Sequence, residues 1–183
     1  QNIISPQTNT PAPVYSSRLV FTSDLSDILL ALLRRTDIKE LKTLPDMTEG
    51  LENRIKYCAL HSSNINDFYR QLKTKRYNLT RLQRTLLHLF LNYKEELASQ
   101  IDLGCPYIRI LGCTAKGRQL LSAIKANSNL PIISRSNQMK NICRSNKAAA
   151  NAWQLDVRSG DLYAWLQKEK IQGSPEYKLQ PIV

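Results

Sequence analysis

The stretch KTKRYNLTRLQR, Lys73–Arg84, places five cations and no acid in twelve residues, then runs directly into the apolar TLLHLFLNY, Thr85–Tyr93. Leu82, Leu86, Leu89, Phe90 and Tyr93 recur at helical spacing, so the sequence predicts a helix here with Asn78 or Thr80 as its cap. Cations at a helix start oppose the macrodipole, at a cost of about a few tenths of a kcal/mol each. A sequence shaped for stability alone would put acids there. An incoming phosphate reverses the sign, because helix N-termini favour anions. Tyr77, set among the cations, has two readings: stacking on an unpaired base, worth about 1–3 kcal/mol, or packing between the flanking helices.

Further helical patterns precede this one. INDFYRQL predicts a helix with Ile65, Phe68 and Leu72 inside and Ser63 or Asn64 as cap. EGLENRIKYCAL predicts another, with Leu51, Ile55, Cys58 and Ala59 inward. Before it, Ser23 caps a helix with Asp24 and Asp27 in its first turn and Leu25, Ile28, Leu29, Leu32 and Leu33 on one face. KTLPDMT is a break. Residues 1–17, rich in Pro, Thr, Ser, Asn and Gln, read as a linker or lead-in. The pattern changes at Cys105. YIRILG and LPIIS read as short strands on either side of a helix, TAKGRQLLSAIKAN, capped by Thr114. Polar helical pieces follow through Trp153, then a helix SGDLYAWLQKEK capped by Ser159, and EYKLQPIV as a strand or extended tail. Strand, helix, strand predicts a parallel pair with a right-handed crossover. The expected fold is α+β: a lead-in over 1–17, a helical domain over 18–102, and a small α/β domain with a short sheet over 103–183.

Of the 183 residues 42% are hydrophobic, enough for a packed core. No apolar run approaches the roughly 20 residues of a membrane span, and no charged-then-apolar leader is present. Cys58, Cys105, Cys113 and Cys143 form no CxxC pair. CALH sets Cys58 three residues before His61, with no second half of a metal site in view. No metal is expected, and the cysteines read as free thiols in a reducing cytoplasm. The net charge of +11 is segregated: residues 68–155 hold 15 Lys and Arg against Glu95, Glu96 and Asp102, and 103–155 contain no carboxylate. Such asymmetry points to a polyanion, with nucleic acid favoured over a membrane surface or no special partner.

No catalytic constellation is legible: HxGH, Walker A, GxSxG and HExxH are all absent. His88 shares a helix face with Arg81 and Arg84, as a functional stripe or as a solvated side. In EGLENRI, dipole-complementing acids account for Glu49 and Glu52 but not for Asn53 and Arg54.

EGLENRI, then KTKRYNLTRLQRTLLHLFLN, YIRILG…KGRQLL and DLYAW…PIV together resemble the C-terminal part of the tRNA(Met) cytidine acetate ligase family, over roughly 45–183, with 15–44 fitting its lead-in helix. The resemblance implies an enzyme that uses ATP, with Mg, to activate acetate as acetyl-adenylate. It then acetylates N4 of the wobble cytidine of elongator tRNA(Met). It also implies an ATP site in an N-terminal domain with a HIGH-type motif. That motif is absent here, so the chain is expected to be an excised C-terminal region, inactive alone, with no cofactor and no catalytic residue of its own. The expected partners are tRNA and the chain's own catalytic domain, in the cytoplasm. Lys73, Lys75, Arg76, Arg81 and Arg84 are the expected phosphate contacts, with Tyr77 as a stacking candidate. Glu49, Asn53 and Arg54 are candidates for a cleft between domains. Arg109, Lys116, Arg118, Arg135, Lys140, Arg144 and Lys147 would extend the basic surface. The rival expectation is a protein–protein module that packs on the catalytic domain without holding RNA. A free-standing small enzyme has no active-site pattern to support it.

Overall fold

The structure, a computed structural model, describes residues 19–48, 50–102, 104–167 and 173–182. The lead-in 1–17 lies outside them. The first unit contains α1 (Ser26–Arg35), α2 (Ile38–Leu41), α3 (Leu51–His61), α4 (Ile65–Leu72) and α5 (Leu79–Phe90). They enclose one apolar cluster in which Leu33, Leu41, Leu51, Ile55, Phe68, Leu72 and Leu82 are fully buried. Cys58 lies in this cluster, where burial raises its thiol pKa, while His61 stacks on the exposed Tyr57. The CALH pair is thereby split between core and surface. Ser23, the expected cap of the first helix, sits instead in a 3-10 turn, Thr22–Leu25, that leads into α1. Asn64 caps α4 by accepting from the Asp67 N–H, and Asn78 caps α5 by accepting from the Arg81 N–H.

The helix C-termini are closed by cations from neighbouring helices. Arg34 of α1 donates to the Ala59 and Ser62 carbonyls at the end of α3. Lys56 of α3 returns the arrangement, donating to the Leu33, Arg34 and Thr36 carbonyls at the end of α1. Arg54 of α3 donates to the Gln71 and Leu72 carbonyls at the end of α4. Each charge meets carbonyls left without intrahelical partners, at the negative end of a helix dipole.

α6 (Glu95–Asp102) joins the units: the Glu95 N–H donates to the Thr43 carbonyl, and α6 packs on α9 (Lys147–Leu166). Arg158 of α9 donates to the Leu91 and Asn92 carbonyls just past α5, and Asn151 donates to Gln100 at 2.8 Å. In the second unit β1 (Ile108–Arg109) pairs in parallel with β2 (Ile132–Ile133), in register 108 to 132 and 109 to 133. α7 (Ala115–Asn127) forms the crossover, capped by Thr114. The α+β reading of the sequence is the fold observed.

Two C-terminal expectations change. The polar pieces and the last helix are one helix, α9, preceded by α8 (Met139–Ser145) and capped by Asn146. Ser159, the expected cap, lies within α9 and donates to the Leu155 carbonyl. Among the described residues the tail makes one parallel bridge, Ile182 to Gly112, after a 3-10 turn, Pro175–Tyr177. The second core holds Tyr107, Ile133, Met139, Ala149 and Trp153.

Gly160, inside α9, is the contact that lets this turn dock. A Cβ there would stand 2.7 Å from Oε1 of Glu176, which is fixed by its pair with Arg109. Helix propensity alone would reward alanine by about 1 kcal/mol. Gly160→Ala is therefore expected to lower the thermal midpoint in the wild-type background and to raise it in a Glu176→Ala background. The same sign in both would contradict this packing.

Candidate nucleic-acid interface

The loop between α4 and α5, residues 73–78, is organised around Tyr77. Its side chain is 6% exposed and belongs to the first core. Its N–H donates to Thr74 Oγ1, and the Thr74 N–H donates to the Tyr77 carbonyl. Anchoring the aromatic inward turns Lys73, Lys75 and Arg76 outward, and all three are exposed. Of the two readings of Tyr77, the structure adopts core packing, so the ring has little face left for a base. The guanidinium groups of Arg76 and Arg81 lie 5.9 and 5.6 Å from its centroid, close enough for cation–π attraction. Tyr77 thus sets the positions of cations on both sides of it.

Arg81 and Arg84 face the segment ahead of α3. Arg81 donates to the Asp46 carbonyl and to Thr48 Oγ1, both at 2.8 Å. Arg84 forms a forked contact to Asp46 Oδ2, at 3.1 and 2.7 Å. The acid that the start of α5 lacks is supplied from another part of the chain. Asp46 holds this position at φ 63°, a left-handed conformation that Asp and Asn tolerate better than other non-glycine residues. Gly50, at φ 79°, then turns the chain into α3, where a side chain would be strained.

The expected cleft residues divide. Glu49 lies outside the described residues. Asn53 donates to Glu52 Oε1 at 3.2 Å, and Glu52 is buried at 6% exposure, 3.7 Å from Lys42. Arg54 is committed to the end of α4, immediately before Lys73. It therefore braces the cationic loop, and the EGLENRI and KTKRY blocks, separate in sequence, form one surface through it. Composition alone missed this role. The clue was an arginine that dipole complementation left unexplained.

The wider set of cations does not all face solvent. Arg109 is turned inward, paired with Glu176 and 5.2 Å from the Trp153 ring centroid. Lys116, Arg118, Arg135, Lys140, Arg144 and Lys147 are exposed on α7, the 3-10 turn Ser136–Gln138 and its approach, α8 and the start of α9. Among the described residues no group of three or more His, Cys, Asp or Glu could hold a metal ion, and no helix is long and apolar enough to cross a membrane.

A family model described as HIGH Nucleotidyl Transferase matches residues 4–177. A tRNA(Met) cytidine acetate ligase of Alkaliphilus metalliredigens is 34% identical over 166 residues, which cover 88% of this chain and 38% of that protein. Another, from Leuconostoc mesenteroides, is 34% identical over 165 residues, covering 87% and 42%. The crystal structure of Thermotoga maritima TmcAL bound with alpha-thio ATP superposes with a TM-score of 0.83 at 26% identity, over 89% of this chain and 42% of that one. The chain spans about two-fifths of the length of these relatives.

His88, one turn beyond Arg84, gives this face a pH signature. Burial lowers its pKa and Arg84 adds to the effect, while Asp46 and a hydrogen bond to the Pro45 carbonyl oppose it. Its folded pKa is below the unfolded value of about 6.5, so the unfolded chain binds more protons near that pH. The stabilisation is complete above about pH 6.5 and is lost as pH falls through the folded value. The urea midpoint is expected to drop between about pH 7 and 5, and His88→Gln should flatten that drop. A variant that follows the wild-type profile would contradict the assignment. Asp67, held below the usual carboxylate range chiefly by Arg70, acts in the same direction only at lower pH.

Proposed function

The chain belongs to the HIGH nucleotidyl transferase family, and from that premise we propose that it is the tRNA-docking, C-terminal region of a tRNA(Met) cytidine acetate ligase. In this reading it holds elongator tRNA(Met) while another part of the longer protein uses ATP and acetate to acetylate N4 of the wobble cytidine. The observation that carries the reading is the cationic loop pinned by buried Tyr77, with Lys73, Lys75 and Arg76 projecting beside Arg81 and Arg84. Folded RNA is recognised through shape, phosphates and loop bases, and preorganised cations suit the phosphates. The names of the relatives supply the substrate.

In this reading ATP chemistry belongs to another part of the longer protein. The carboxylates described beside the cationic face, Asp46 and Glu52, are engaged by Arg84 and Lys42. That donor set does not fit magnesium-bound ATP, and the sequence has no HxGH motif. No step through ATP is assigned to these residues, and alone the chain should form no acetyl-adenylate. The same reading takes the protein to act in the cytoplasm.

A second reading has its own observation. α7 buries none of its residues, and Leu120 and Ile124 are 60% and 49% exposed. An amphipathic helix with an uncovered apolar side suits packing against another protein surface, so α7 is proposed to contact the catalytic part. The two readings rest on different residues, and the two roles are compatible.

The side chains of Lys73 and Lys75 have no hydrogen-bond or ion-pair partner among the described residues, so removing their charges tests docking without disturbing the fold. Each phosphate contact contributes about 0.7–0.9 to the slope of log K against log salt. Lys73→Gln with Lys75→Gln is expected to weaken tRNA binding and flatten that slope by about 1.4–1.8. An unchanged slope would contradict the phosphate contacts.

Asp46→Asn keeps a residue tolerant of positive φ and removes the charge that engages Arg84. It is expected to tighten tRNA binding by up to about fivefold. Weaker binding, with unchanged thermal stability, would contradict a phosphate role for Arg84.

A further inference from the structure

A cavity of about 460 Å³ opens in the second unit between the 3-10 turn Ser136–Gln138, α8, α9 and the turn Pro175–Tyr177. Met139 and Trp153, 1% and 5% exposed, contribute its apolar lining. Tyr177 lines it too and is 57% exposed, its ring T-shaped to Trp153 with centroids 5.9 Å apart. Ser136, Asn137, Gln154 and Lys140 are its polar lining residues.

The aromatic wall is held in place from behind. Ser136 Oγ donates to the Tyr177 carbonyl at 3.0 Å. Arg109 stands over Trp153 and pairs with Glu176, the residue before Tyr177. Glu176 in turn rests against Gly160 of α9. These contacts fix a partly exposed ring beside two carboxamides and a cation.

We infer that this cavity takes one unstacked nucleobase of a single-stranded RNA segment, with Tyr177 as its stacking platform, Asn137 and Gln154 on its polar edge, and Lys140 on an adjoining phosphate. This rests on the RNA-docking reading above and adds to it a second, base-holding site. The volume lies within the roughly 300–1,000 Å³ of ligand pockets. Carboxamides offer donors and acceptors together, as a base edge requires and an apolar ligand does not. None of the residues that line the cavity is a carboxylate, so the lining presents no like charge to a polyanion. Unpaired bases are the part of an RNA that proteins stack on aromatic rings.

The test uses the full chain and the anticodon stem-loop RNA of elongator tRNA(Met), intact and in versions with a single abasic loop position. One abasic position is expected to weaken wild-type binding by about 5- to 160-fold. Tyr177→Ala should lose a similar factor on intact RNA and lose little more on that abasic RNA, while Tyr177→Phe should bind as wild type does. Asn137→Ala with Gln154→Ala should alter the base preferred at that position. A flat abasic scan, or equal losses for Tyr177→Ala on intact and abasic RNA, would remove the base pocket and leave the docking reading standing. Failure of the wild-type chain to bind RNA at low salt would remove both.

Discussion

The ends of the helices in the first unit are closed by side-chain cations from their neighbours, and the placement of the surface follows from that constraint. The last carbonyls of a helix have no intrahelical partner. Here Arg34, Lys56 and Arg54 meet those of α3, α1 and α4. Hydrogen bonds to charged groups contribute about 1.5–3 kcal/mol each, less where solvent reaches them. The caps also fix geometry. Arg54 sets where α4 stops, and the residue after that stop is Lys73. Arg158 repeats the device just past α5 and ties α9 to the first unit.

The same constraint changes what a net charge means. Arg34, Arg54, Lys56, Arg109 and Arg158 contribute to the excess of +11, yet each is directed at backbone carbonyls or at a buried partner. Cations available to a polyanion are those left after the fold has used its share. By that measure Lys73 and Lys75 stand out from Arg54 and Arg109, although all four are equivalent in a charge count. Asp46 shows the converse. One residue, in a conformation few residues tolerate, meets two arginines at the start of a helix that has no acid of its own: Arg84 through its carboxylate and Arg81 through its backbone carbonyl.

Much of this architecture was legible. Apolar residues at helical spacing gave α3, α4 and α5 with their inward faces, because burial of one stripe dominates those segments. Thr114 was legible as a cap, and Asn64 and Asn78 each as one of two candidates, because a short polar side chain before an apolar run has one cheap use. Strand, helix, strand gave the parallel pair. The length of α9 was not legible: Ser159 read as the cap of a new helix, yet α9 runs through it and its hydroxyl bonds back to the Leu155 carbonyl. Tyr77 was legible only as a choice of two, since a tyrosine among cations has the same local sequence whether its ring stacks outward or packs inward. Arg54 was legible as unusual but not as a cap, because its partners lie 17 and 18 residues away.

The central claim is that this chain holds RNA through a surface its own helix ends position. The most direct measurement is the affinity of the wild-type chain for elongator tRNA(Met) and for a second tRNA across a series of salt concentrations. The account predicts binding whose logarithm falls linearly with the logarithm of salt, and tighter binding to elongator tRNA(Met). Absence of binding at low salt would contradict it, and would assign the cationic loop to packing against another part of a longer protein.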